Sequence, residues 1–284
     1  MDYIYIEKKN ELRAYLQSLT DARQYILALD IEAELNRHAY GETLCLIQIF
    51  DGVSKLIIDP FKIDTPTLRM LFGNRDILKI MYDAASDLHL IKNTLNMDIK
   101  SILDLRPAVH LLNYEKQDLH SVLARELGIQ LENKKKYQKR NWTKRPIPEE
   151  AIDYALNDVT HLFRLKDALL SKLSAGDLLD RYLLKNLQVQ NKDYTRRPDD
   201  KYKKVKGYHN LSDSEQTVLR KVYDVRDKYA ERFNMPPHNI VHNNDLIGMI
   251  KGRSQLDEIR LPRRLDDGIK KQIMLELRKA ITTV

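Results

Sequence analysis

Residues 24–59 constrain the chain most, because they hold three apolar runs that are too short for helices and are broken by turn chemistry. Residues 24–30 (QYILALD), 44–50 (LCLIQIF) and 55–59 (KLIID) each predict a strand. The Asp51-Gly52 pair between the second and third is the dipeptide favoured in a tight hairpin. Residues 78–81 (LKIM) and 99–103 predict a fourth and a fifth strand, with helical periodicity over 84–95 and again after Asp104. Antiparallel strands followed by strand–helix–strand units predict an α/β fold, a mixed five-stranded sheet with flanking helices.

The strand ends carry the candidate chemistry. Asp30 and Glu32 lie two residues apart at the end of the first run, so strand geometry puts them on one face. Carboxylates placed so repel one another and resist desolvation, and a divalent cation relieves both costs. Taken alone, the pair more often describes a solvated strand end. Tyr154 and Asp158 stand four apart in a helical pattern and share a face, where Tyr can orient a water and Asp can bind a metal. The competing reading is an ordinary amphipathic helix with a half-buried Tyr. Asp87 opens the helix after the fourth strand, where it can also serve the helix dipole. Asp83 competes for the role, but Asp87 shares a helical face with Leu90 and Ile91 and is preferred. Together, four carboxylates from three distant segments form a hard-oxygen set suited to Mg²⁺ or Mn²⁺. Two such ions, about 3.5–4 Å apart, stabilise the attacking and leaving oxygens in phosphodiester hydrolysis.

The 284 residues suggest two domains. Segment 133–145 (NKKKYQKRNWTKR) is basic, with Tyr137 and Trp142 interleaved; Pro146 and Pro148 then precede a helical pattern over 149–170, and another runs to about residue 190. Segment 191–208 (NKDYTRRPDDKYKKVKGY) is polar and basic and is expected to link a domain over 1–190 to an all-α domain over 209–284. The latter opens with Ser212 as N-cap and Glu215 at the capping-box offset. Lys and Arg number 48 against 41 Asp and Glu, a net charge of +7 that favours polyanionic partners. The lone cysteine, Cys45, excludes an intrachain disulfide and sits in an apolar run as a buried structural thiol. With neither a leader-like N-terminus nor an apolar run near 20 residues, a cytoplasmic protein is expected.

Three motifs then carry a family resemblance: ALDIEAELNRHAYGETLCLIQI, KIMYDAASDLHLI, and NWTKRPIPEEAIDYALNDVTHLFRL. They resemble ribonuclease D and its relatives in the DEDD exonuclease superfamily, tyrosine subtype. The histidine subtype would carry His at position 153, which is Asp here. Residues 211–250 resemble an HRDC domain, the small helical module shared by RecQ helicases and ribonuclease D. Two positions depart from the family pattern: Tyr82 stands where His is usual and Ala151 where Gln is frequent. The resemblance implies a ribonuclease-H-like sheet and 3′-5′ exonuclease activity on a single-stranded 3′ end, releasing nucleoside 5′-monophosphates. RNA, as in trimming of tRNA-like precursors, is favoured over DNA; the alternatives are a DNA exonuclease in repair and a non-catalytic nucleic-acid-binding protein. It also implies that Asp30 bridges two ions, that Glu32 and Asp158 hold the water-activating ion, that Asp87 acts at the second, and that Tyr154 positions the water. For nucleic-acid binding the candidates are Gln48, Lys139, Arg140, Trp142 and Arg145, with the sheet edge and core packing as competing roles for Gln48 and Trp142.

Overall fold

The computed structural model describes residues 2–131, 135–195, 198–252 and 256–282. The basic residue Lys134 and its neighbour Asn133, and Arg253 of the helical part, lie outside them. The chain divides into two compact units, Met1–Ala33 with Thr43–Thr195, and Glu34–Glu42 with Arg196–Val284.

In the first unit, β1 (Ile4–Ile6) and α1 (Lys9–Asp21) precede β2 (Ile26–Leu35), β3 (Glu42–Phe50) and β4 (Lys55–Ile58). Then come α2 (Thr65–Phe72), β5 (Leu78–Met81), α3 (Ala85–Leu95), β6 (Ile102–Asp104), α4 (Arg106–Leu111), α5 (Leu119–Leu127) and α6 (Lys135–Gln138). Helices α7 (Glu149–Thr160), α8 (Leu162–Ala175) and α9 (Leu179–Asn191) complete it. The sheet is mixed, as expected, but has six strands in the order β1-β4-β3-β2-β5-β6. Strand β3 runs antiparallel to β4, while β1–β4, β2–β5 and β5–β6 pair in parallel. The extra strand, β1, spans three residues of which Ile4 and Tyr5 stay exposed, too short to show a period. Gly52, at φ +96°, makes the β3–β4 turn in a conformation that only glycine adopts freely.

Alternation along β2 divides the core. Leu27, Leu29 and Ile31 pack with Leu12 and Leu16 of α1, Leu68 and Phe72 of α2 and Ile91 of α3. Ala28 faces the opposite layer, which includes Val122, Leu156, Val159, Leu165 and Leu169. By the two-residue period, Asp30 and Glu32 leave the sheet on the Ala28 side. The expected single helix over 149–170 is instead α7 and α8, broken at His161. Just before the break, the Thr160 hydroxyl donates to the Leu156 carbonyl at 2.6 Å, a back-bond that bends helices. Cys45 is buried, as expected.

The second unit is helical beyond residue 196, with α10 (Asp213–Arg232), α11 (Pro237–Ile240), α12 (Asn243–Ile250) and α13 (Asp267–Thr282). Leu219, Val222, Ile240, Leu246, Ile273 and Leu277 form its core. The capping box forms: the Glu215 amide donates to Ser212 Oγ, and the Ser212 amide donates to the Glu215 carboxylate at 2.7 Å. Part of the expected linker is folded, because short 3-10 turns at Pro198–Lys204 and Tyr208–Asn210 flank a buried Val205. Among the described residues no helix is long and apolar enough to cross a membrane.

Candidate active site

Strand β2 runs on to Leu35, past the expected end at residue 30, so Asp30 and Glu32 project from its middle rather than its end; the first turn of α3 delivers Asp87, and the inner face of α7 delivers Tyr154 and Asp158. Asp30, Tyr154 and Asp158 line one cavity of about 270 Å³, joined by Tyr82, His120 and Gln138. Burial pushes the Asp30 carboxyl well above the usual carboxylate range, and the charges of Asp87, Asp158 and Glu32 push it further. Glu32 is raised by burial and then by Asp158 and Asp87. Asp87 is raised by burial and then by Asp83 and Asp104. Burial also raises the Tyr154 phenol, with Asp158, Glu32 and Asp30 adding to it, so this group remains a hydrogen-bond donor. The four carboxylates therefore form one mutually repelling set.

Among the described residues His120 approaches this set, its Nε2 3.8 Å from Asp158 Oδ1. That carboxylate is the main cause of the imidazole's raised pKa. One neutralisable imidazole does not balance four acids, and oxygen donors in excess of cations fit hard divalent ions. Among the described residues, however, no three of these side chains are closed into metal-ligating geometry. The chemistry and charge of these residues fit such ions.

Local contacts hold the catalytic candidates in place. Tyr137 of α6 packs its ring 5.6 Å from that of Tyr154 and bonds its hydroxyl to Glu150 at the start of α7. The other candidate of the second motif, Asp83, is exposed and paired with Arg106. Buried Asp104 accepts from the amides of Asp83, Ala84 and Arg106 at 2.9, 3.1 and 3.0 Å, and so staples the turn that aims Asp87.

Three expected nucleic-acid contacts are turned inward. Gln48 is fully enclosed, and neither its amide nitrogen nor its oxygen has a protein partner. Trp142 is 1% exposed and belongs to the core layer under α7. Arg145 donates from Nε to Asp59 at 2.5 Å, and from its two terminal nitrogens to the carbonyls of Trp142 and Cys45, each at 2.7 Å. Its fork is spent on the fold rather than on phosphate, because Asp59 is buried and demands a cation. Lys139 is exposed, and Arg140 is half-buried with its guanidinium 5.7 Å from the Trp142 ring. Sequence reasoning missed His120 and Gln138, since a lone residue outside a motif carries no signal; Tyr82 was visible only as a departure. Ala151, the other departure, is buried.

Residues 3–174 match the family described as 3′-5′ exonuclease, a match that ends before the helical unit. Ribonuclease D from Desulfotalea psychrophila is 30% identical over 227 residues, covering 78% of this chain and 60% of that protein. This chain thus spans less than two thirds of that relative, and likewise 58% of the ribonuclease D of Sphingobium indicum, to which it is 27% identical over 79% of its own length. In fold, the chain resembles the RRP6 catalytic core from Trypanosoma brucei, with a TM-score of 0.79, 20% identity, and 98% of this chain and 79% of that chain covered.

Proposed function

The chain belongs to the 3′-5′ exonuclease family, and from that premise we propose that it removes nucleotides one at a time from a nucleic-acid 3′ end, acting on RNA in preference to DNA. The observation that carries the reading is the meeting of Asp30, Tyr154 and Asp158 on one cavity, with Glu32 and Asp87 joined to them by charge. A terminal phosphodiester brings still more negative charge to this acidic place, so cations are needed for substrate to approach at all. Asp30, Glu32, Asp87 and Asp158 are the residues that would hold two Mg²⁺ or Mn²⁺ ions. When bound, such ions supply Lewis-acid stabilisation of the attacking and departing oxygens.

The protein's own groups do the rest. The Tyr154 hydroxyl, kept protonated by its acidic surroundings, donates to the nucleophilic water and turns a lone pair toward phosphorus. Glu32 and Asp158 would hold the ion that acidifies the water, whose proton passes to solvent while the departing 3′-oxygen takes one up from solvent. In-line attack breaks the bond to the 3′-oxygen, which leaves with the shortened strand, and a nucleoside 5′-monophosphate is released. His120 opposes the charge of Asp158 and keeps that carboxylate turned into the cavity. RNA is favoured by the likeness to ribonuclease D; one solved structural relative is described as an exoribonuclease involved in structured RNA processing. Trimming of tRNA-like precursors follows that likeness. On this reading the α10–α13 region is a single HRDC module, with Arg260, Arg263 and Arg264 as basic groups for nucleic acid.

The test compares wild type with Asp30→Asn on matched 3′-labelled single-stranded RNA and DNA, with and without Mg²⁺ or Mn²⁺. Expected is metal-dependent release of labelled mononucleotide by wild type, faster from RNA, and a loss of about 10³-fold or more in the variant. Equal product from both proteins would refute the assignment. Tight binding with no turnover would return the chain to a non-catalytic role.

A further inference from the structure

Arg181, Lys185 and Gln188 follow one another along α9 at spacings of four and three residues, and Lys192 caps the helix four residues later. That spacing puts all four on one helical face. A flanking face anchors the helix: Tyr182 donates to the Asp104 carbonyl at 2.9 Å, and the Asn186 side chain accepts from the Asp104 amide at 2.7 Å. The helix is therefore rigidly placed, and its basic face is left to solvent.

This face lines a concavity of about 720 Å³, closed further by His110 of α4 and by Tyr194. Among the described residues no Asp or Glu lines it. In a chain with 41 acidic residues to 48 basic ones, a concavity holding three fixed cations and no acid is out of balance with its surroundings. Tyr194 is held as part of the wall, since its hydroxyl donates to the Val189 carbonyl at 3.1 Å and its own carbonyl accepts from the Asn93 amide at 2.9 Å. Ala85, in the first turn of α3 and two residues before Asp87, also lines the concavity, so its rim adjoins the turn that positions a site carboxylate.

We propose that this concavity is a second nucleic-acid-binding surface, which grips the phosphates of a single strand with Arg181, Lys185 and Lys192 and stacks a base on Tyr194. Cations one helical turn apart, side-chain amides and a held aromatic ring are the components of a sequence-independent single-strand grip. That the bound strand is the upstream part of the substrate rests on the exonuclease reading; the binding itself does not.

The test uses the full chain in EDTA, so that no turnover intervenes, and follows fluorescence anisotropy of a single-stranded RNA of about 20 nucleotides, longer than the roughly 4–16 that one binding module covers. Arg181→Glu with Lys185→Glu alters exposed side chains, and an unchanged thermal melt confirms folding. The double variant is expected to bind the long RNA at least tenfold more weakly. Its slope of log affinity against log salt should be shallower by about 0.7 per lost phosphate contact, roughly 1.4 for two. Arg181→Lys with Lys185→Arg should retain binding, and Tyr194→Leu should lose roughly tenfold. With Mg²⁺ restored, hydrolysis of a dinucleotide should be unaffected by the charge reversals while degradation of the long strand slows. Unchanged affinity and salt slope would overturn the proposal, as would a polyglutamate peptide losing binding in the variant while RNA does not. Failure of wild type to hydrolyse either substrate would refute the exonuclease reading and leave the anisotropy result to decide this one.

Discussion

Replacing Arg145 by Met separates two roles for the basic segment before α7. In the structure the guanidinium makes a charged bond to Asp59 and three bonds to backbone carbonyls, those of Trp142, Lys144 and Cys45. The Asp59 side chain is only 6% exposed, and the variant leaves it the Tyr5 hydroxyl at 3.0 Å and the Phe61 amide at 3.1 Å. Breaking a buried ion pair from one side costs about 3–5 kcal/mol. The guanidinium is 25% exposed, and these two donors remain, so the lower end applies, about 3 kcal/mol. For a unit of this size that lowers Tm by roughly 6–12 °C. The pH dependence has a definite sign. Burial works against the Asp59 charge, but the Arg145 and Phe61 hydrogen bonds outweigh it and hold the carboxyl below its ordinary value. A depressed carboxyl contributes stability above its unfolded pKa, about 3.9, and loses it as pH falls through the lower folded value. The gap between wild type and variant should thus be full at neutral pH and close in strong acid. Thermal and urea unfolding monitored by circular dichroism measures it, with Arg145→Lys expected to recover part of the loss because it keeps the charge but not the fork. A variant with unchanged Tm and a raised KM for RNA would show the side chain to be a phosphate contact and refute the structural role.

Three further outcomes are expected. Asp30→Asn removes a buried like charge, so the metal-free variant should melt a few degrees above wild type and lack the Mn²⁺-dependent rise in Tm expected of wild type; a metal response equal to that of wild type would contradict the ligand role. Tyr154→Phe should lower kcat about 10²-fold with KM nearly unchanged, in steady-state release of mononucleotide, whereas a change confined to KM would make the residue a substrate contact. Ser212→Ala breaks the capping box of α10 and should cost about 1 kcal/mol in chemical denaturation, with no effect beyond error counting against it.

Much of the fold was legible because it rests on local periodicity. Residues 78–81 match β5 residue for residue, Asp51-Gly52 does make the β3–β4 turn, and Ser212 with Glu215 does cap α10. Strand β1 escaped because three residues carry no period, and the α7–α8 break at His161 escaped because no Pro or Gly marks it in the sequence. The carboxylate candidates were readable for a similar reason: two- and four-residue spacings fix a shared face before any tertiary contact exists.

By itself, then, the chain's order of residues determined which side chains share a face and which segments become strands or helices, though strand β2 carries on past Asp30 and Glu32 to Leu35. Only tertiary structure decided how the long polar side chains are spent. Gln48, Trp142 and Arg145 look alike as candidates in one dimension, yet folding encloses the first two and commits the third to Asp59. It also brings His120, from a segment with no motif, to Asp158. Burial and long-range pairing are properties of packed surfaces, which local spacing does not encode.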